Sequence, residues 1–135
     1  MTDLPTTVMV VHHELRFCRL LTEVLSEEGY RVIPASSGPS ALAMAAAEAP
    51  DLILLDSVMP SLDGVAILRQ LRQQGHEGTV IMLTAQGTLQ NAREAMLLDA
   101  YDYITKPFTM DFLKSVLREG LERRVPAWRE NVCVH

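Results

Sequence analysis

With 135 residues, 48% of them apolar and 21% charged, the chain suits one soluble domain with its own hydrophobic core and leaves little room for a second. A formal net charge of −5 argues against direct nucleic-acid binding, which needs a basic patch to displace counterions. No apolar run approaches the roughly 18 residues of a membrane span, Met1 to Thr7 does not have the make-up of a secretory signal, and Cys18 and Cys133 lack metal-site or disulfide spacing, so a reducing, cytoplasmic setting is expected.

Val8-Met9-Val10-Val11 opens the pattern as a continuous apolar run, which marks a strand buried on both faces. Leu15, Cys18, Leu21 and Leu25 then recur at helical spacing, with Cys18 read as a small core hydrophobe and Gly29 as the stop signal. Tyr30 to Pro34 predicts a second strand, and the alanine-rich stretch from Ala41 to Glu48, with Pro50 beyond it, a second helix. Leu52-Ile53-Leu54-Leu55, a second apolar run, predicts the third strand, followed by a stripe of Val65, Leu68 and Leu71 that Gly75 closes. Val80-Ile81-Met82-Leu83 predicts a fourth strand, and Ala92, Ala95 and Met96 a fourth helix. Tyr101 to Ile104 predicts the fifth strand, and Phe112, Leu113, Val116, Leu117 and Leu121 the fifth helix. Five alternations of strand and helix imply an α/β fold, a doubly wound parallel sheet with helices on both faces. The domain should occupy residues 1–123. Residues 124–135, interrupted by Pro126, read as a frayed tail, with Arg123, Arg124, Trp128 and Arg129 as a weaker candidate for a docking patch.

In an open parallel sheet, ligands gather at the carboxyl ends of the strands, near the point where strand order reverses. The residues that follow the apolar runs are His12, His13 and Glu14, then Asp56, then Thr84 and Ala85, then Thr105, Lys106 and Pro107. A carboxylate can attack phosphorus and form an acyl phosphate. A lysine supplies a point charge to a phosphoryl oxygen, and a hydroxyl donates to another. Phosphoryl transfer depends mostly on such positioning and charge stabilisation. Taken singly, each residue has a plainer reading: Asp56 as a turn former, Thr84 as a helix cap, Lys106 as a solvated lysine, Tyr103 as a static strand aromatic, Glu14 as a first-turn acid.

The segment Leu54-Leu55-Asp56-Ser57-Val58-Met59-Pro60-Ser61-Leu62-Asp63-Gly64 resembles the phosphoacceptor segment of response-regulator receiver domains. Met82-Leu83-Thr84-Ala85 is similar to their hydroxyl-bearing strand end, and Tyr103-Ile104-Thr105-Lys106-Pro107-Phe108 to their lysine–proline segment. The resemblance runs over residues 7 to 123 in the family's order. It implies a flavodoxin-like fold with five parallel strands in order 2-1-3-4-5. It implies that Asp56 accepts a phosphoryl group from a sensor histidine kinase or phosphotransfer protein, that Thr84 and Lys106 bind the phosphoryl oxygens, and that Tyr103 is a switch aromatic. The carbonyl of Val58 would be a metal ligand. Pro60, Gly64 and Pro107 would set loop geometry, with the Lys106–Pro107 bond cis. The surface of the fourth helix, fifth strand and fifth helix would carry output to a downstream protein. The expected role is that of a stand-alone signalling module in a phosphorelay, with no nucleic-acid or membrane partner. It would be no enzyme beyond self-catalysed phosphotransfer and autodephosphorylation at Asp56.

One feature departs from that family. Receivers place two adjacent acids after the first strand to help hold Mg²⁺, a hard cation that prefers oxygen. Here the positions are His12 and His13. Three readings follow. In the first, Mg²⁺ binds weakly through Asp56, the Val58 carbonyl, water and Glu14, and phosphotransfer survives at reduced efficiency. In the second, an imidazolium replaces the cation, with a charge sensitive to pH, and the chain is a phosphorylation-independent pseudo-receiver. In the third, His12, His13 and Asp56 hold a softer divalent metal. Adjacent strand residues point to opposite faces, so this third reading requires the strand to end at His12.

Overall fold

Strands that are apolar at every position must be covered on both faces, and the computed structural model, which describes residues 6–59, 62–84 and 89–122, has that arrangement. Pro60, Ala85 and the tail from Arg123 onward, with Trp128 and Cys133, lie outside the described residues. In chain order the elements are β1 (Thr7–Val11), α1 (Leu15–Glu27), β2 (Arg31–Ala35), α2 (Gly38–Glu48), β3 (Leu52–Asp56), α3 (Gly64–Gln73), β4 (Thr79–Thr84), α4 (Leu89–Leu97), β5 (Asp102–Thr105) and α5 (Met110–Glu122). The sheet is parallel throughout, in the order β2-β1-β3-β4-β5. Every residue of β1, β3 and β4 is buried.

The two-residue period of the strands divides the core in two. Val8, Val10, Leu52, Leu54, Ile81 and Leu83 face α1 and α5, meeting Cys18, Leu21, Leu25, Leu113, Val116 and Leu117. Met9, Val11, Ile53, Leu55, Val80 and Met82 face the other way, onto Ala41, Ala45, Ile67, Leu68, Leu71 and Ala95 of α2, α3 and α4. Burying a leucine or isoleucine side chain contributes about 2–3 kcal/mol. These two layers, rather than any polar contact, therefore account for most of the fold's stability.

Helix ends are fixed by local chemistry. The Ser37 hydroxyl accepts from the Ser40 N–H at 3.2 Å, and the Asp63 carboxylate accepts from the Ala66 N–H at 2.8 Å, starting α2 and α3. After α1, Gly29 adopts φ +96°, which lets Gly29 and Tyr30 donate back to the carbonyls of Ser26 and Leu25. That turn uses the Tyr30 N–H, so β2 starts one residue later than the sequence suggests. β5 likewise begins at Asp102 rather than Tyr101.

Three members of the expected apolar stripes do not face the core. Leu15, the first residue of α1, is exposed. Met96 sits one residue, about 100° of helical turn, from the buried Ala95, and Phe112 stands in the same relation to Leu113. Both turn outward.

Candidate functional site

The chain runs from β1 outward to β2 and then crosses to β3 on the opposite side of β1, so strand order reverses between β1 and β3. Their carboxyl ends carry His12, His13 and Asp56. The His12 N–H still donates to the Ala35 carbonyl at 3.0 Å, continuing the ladder one residue past β1. The chain then bends at His13, and the two rings lie nearly parallel, 7° apart in plane with centroids 5.3 Å apart. Leaving the strand is what allows neighbouring residues to present their rings together.

Asp56 is the last residue of β3, and its side chain is only 3% exposed. Oδ1 accepts from the Val58 N–H at 3.2 Å. Oδ2 lies 3.1 Å from His12 Nε2, 3.6 Å from His13 Nδ1 and 3.9 Å from Lys106 Nζ. One carboxylate oxygen thus has three nitrogens within 4 Å. Lys106 reaches it from the end of β5, where its N–H donates to the Thr84 carbonyl at 2.6 Å and its bond to Pro107 is cis. Thr84 is wholly buried at the end of β4, one residue beyond Leu83, the partner of Asp56 across the ladder.

His12 is held neutral. Burial is the main influence pushing its pKa below the ordinary 6.5, with Asp56 opposing and Lys106 reinforcing the shift. Its Nδ1 accepts from the Glu14 N–H at 3.0 Å, so the remaining ring proton sits on Nε2 and points at Oδ2. An imidazolium at this position would set an Nδ1 proton against the Glu14 N–H. A cationic His12, one of the two histidines the second reading allows, would have to give up that bond. Lys106 Nζ approaches the same Nε2 at 2.9 Å. That crowds two proton-bearing nitrogens onto one oxygen.

The donor set decides the fit of Mg²⁺. The groups converging on Oδ2 are two imidazoles and an ammonium, whereas Mg²⁺ demands oxygen ligands in octahedral array. Glu14, the N-cap residue of α1, is mostly exposed and brings Oε1 no nearer than 4.0 Å to His12 Nε2. These residues do not fit Mg²⁺.

Gly64 is the first residue of α3 rather than a loop glycine, and its role is steric. A Cβ there would stand 2.5 Å from the Asp56 carbonyl oxygen and 2.6 Å from the Ser57 Cα. Tyr103 packs its ring against the layer formed by α2, α3 and α4, and its buried hydroxyl has no hydrogen-bond partner among the described residues. Pro60 lies outside the described residues.

Two contributors were not apparent from the sequence pattern. The Phe17 ring packs on His12 with centroids 4.4 Å apart, lies under Lys106 Nζ at 4.9 Å, and meets Phe108 edge-on. Cys18, read only as core, also donates its thiol to the His12 carbonyl at 3.3 Å. No spacing in the sequence marks either contact, because both arise where the first turn of α1 folds over the pocket.

Comparison with known proteins gives a consistent likeness. A family model described as the response regulator receiver domain matches residues 8–118. The chain is 34% identical over 123 residues to the response regulator MprA of Mycolicibacterium vanbaalenii, covering 91% of this chain and 53% of that protein. It is 33% identical over 114 residues to sporulation initiation phosphotransferase F of Bacillus subtilis, covering 84% of this chain and 92% of that one. The solved receiver domain protein of Methanospirillum hungatei superposes with a TM-score of 0.86 over 90% of this chain and 97% of that chain. At 24% identity it speaks for the fold alone. The chain spans about half the length of several curated relatives it matches.

Proposed function

The chain belongs to the response-regulator receiver family, and from that premise we propose that it relays a two-component signal by accepting a phosphoryl group on Asp56. A histidine kinase or phosphotransfer protein would be the donor and a further protein the recipient of the signal. The observation that carries this reading is the approach of Lys106 Nζ to within 3.9 Å of the Asp56 carboxylate at the strand-order reversal. In the reaction an Asp56 oxygen attacks phosphorus, the donor's bond to phosphorus breaks, and an acyl phosphate forms. Lys106 then swings from His12 Nε2 toward the new phosphoryl oxygens. Thr84 donates its hydroxyl to one of them, and Tyr103 follows that movement. The signalling unit would occupy residues 1–123, with residues 124–135 as a C-terminal tail.

No helix among the described residues is long and apolar enough to cross a membrane, which agrees with action in the cytoplasm.

A second reading has an observation of its own. Asp56 Oδ2 is already satisfied by the His12 N–H, and the pocket does not fit Mg²⁺. A phosphorylation-independent interaction module would have such a pocket. Incubation with acetyl phosphate in the presence of Mg²⁺ or Mn²⁺, followed by intact-protein mass spectrometry, separates the two. The first reading expects one added phosphoryl group, absent in Asp56→Asn and reduced in Lys106→Ala. No added mass under either condition selects the second.

A further inference from the structure

We infer that His12, His13 and Asp56 form a binding site for a borderline divalent metal of the Zn²⁺, Co²⁺ and Ni²⁺ class. The three side chains offer His12 Nε2, His13 Nδ1 and a carboxylate oxygen of Asp56, all within 4.8 Å of one another. Two edges of that triangle are 3.1 and 3.6 Å. With metal–ligand bonds of about 2.0–2.1 Å, tetrahedral donors stand about 3.3–3.4 Å apart, so these two edges lie within about 0.3 Å of closing on an ion, while the Glu14 N–H and Lys106 must give way at His12. Two imidazoles and one carboxylate are the ligands this metal class prefers and Mg²⁺ disfavours. Three protein donors leave a position open to water. His13, 39% exposed, gives the site contact with solvent.

The site is built rather than incidental. Asp56 and His12 are buried, the latter held by Phe17 and by the Cys18 thiol on its carbonyl. Lys106 Nζ, 2.9 Å from His12 Nε2, is the group an entering cation displaces. Coordination through Nε2 moves the ring proton of neutral His12 to Nδ1 by way of solvent, with no net change of charge. Nδ1 then no longer accepts from the Glu14 N–H. That amide, at the N-terminus of α1, reports occupancy directly.

The inference stands on geometry alone and does not rest on Asp56 being phosphorylated. Its test is titration of the purified chain with Co²⁺ followed by visible absorption, with Zn²⁺ and Mg²⁺ as competitors and the Glu14 amide followed by NMR. Co²⁺ and Zn²⁺ should bind stoichiometrically, a large excess of Mg²⁺ should not displace them, and the Glu14 amide signal should move. His13→Ala, at a partly exposed position that spares the core, should weaken Co²⁺ binding by at least about 100-fold, the upper end of what losing an outer-shell partner costs. Affinity no better than that for Mg²⁺, affinity unchanged in His13→Ala, or affinity lost instead in Cys133→Ser or His135→Ala would each overturn the proposal. Phosphorylation without Co²⁺ binding sinks this inference only. Co²⁺ binding without phosphorylation sinks the phosphoacceptor reading only.

Discussion

Gly64→Ala tests whether the pocket and the fold are held by the same contact. The added methyl would stand 2.5 Å from the Asp56 carbonyl oxygen, 2.6 Å from the Ser57 Cα and 3.0 Å from the Met82 methyl. Ordinary contact is about 3.5 Å, so two overlaps of nearly 1 Å fall on backbone atoms that have no rotamer to escape into. The Gly64 N–H is meanwhile bonded to the Ser57 carbonyl at 2.9 Å, so relief requires α3 to slide off β3 and loosen Val65, Ile67 and Leu68. Overpacking of this kind costs about 1–3 kcal/mol, and the backbone partners place it at about 3. Removing a glycine from the unfolded chain returns at most about 1 kcal/mol. The net loss is about 2 kcal/mol, a fall in Tm of about 8 °C for a chain of this length. Urea unfolding followed by circular dichroism measures it. A Gly64→Ala protein within about 0.5 kcal/mol of the parent would refute the steric reasoning.

Acid should weaken the fold through two histidines. Burial lowers the pKa of both His76 and His12 below 6.5, with Arg72 adding to the effect at His76 and Asp56 opposing it at His12. The unfolded chain takes up these protons first, so stability is complete above pH 6.5 and falls as pH drops toward the folded values, by at most about 1.4 kcal/mol per pH unit for each group. Urea midpoints between pH 7.5 and 5 should decline, with a smaller slope in His76→Asn; a midpoint independent of pH would contradict the burial argument. Arg72→Met should cost about 2–4 kcal/mol, because the guanidinium donates to the carbonyls of Leu98, His76, Gly78 and Asp99 at 2.8–3.0 Å and methionine leaves all four without that donor. Arg72→Lys should recover only part of the loss, since one ammonium does not span the fork, and full recovery would assign the effect to charge rather than geometry.

The sequence revealed the architecture because buried parallel strands advertise themselves. Val8–Val11, Leu52–Leu55 and Val80–Leu83 leave no polar face for solvent, and each is a fully buried strand. β2 was displaced by one residue because its start depends on a turn hydrogen bond, Tyr30 N–H to the Leu25 carbonyl, that no hydropathy pattern encodes; β5 also starts one residue late, although the Tyr101 N–H bonds the Val80 carbonyl of β4. The residues gathered at the pocket were legible for a related reason, since they directly follow the apolar runs. The contacts among them were not. The tautomer of His12 depends on a backbone N–H two residues away, and the place of Phe17 beneath Lys106 depends on how α1 lies across the sheet. Arg72 left no trace in the pattern because its partners are carbonyls of segments up to 27 residues distant.

The exchange of acids for histidines changes what the pocket needs in order to exist. Two further carboxylates about 4 Å from Asp56 would each repel it by about 4 kcal/mol at an effective dielectric of 20, and such a cluster relies on a bound cation or on protonation. Here a neutral His12 donates to Asp56 Oδ2, His13 flanks it, and Lys106 supplies a formal positive charge from within the chain. Asp56 thus meets both a hydrogen-bond donor and a positive charge from within the chain, while most of the sheet's stability comes from the two apolar layers. The same architecture thus carries Asp56, Thr84 and Lys106 with His12 and His13, rather than two acids, at the end of β1.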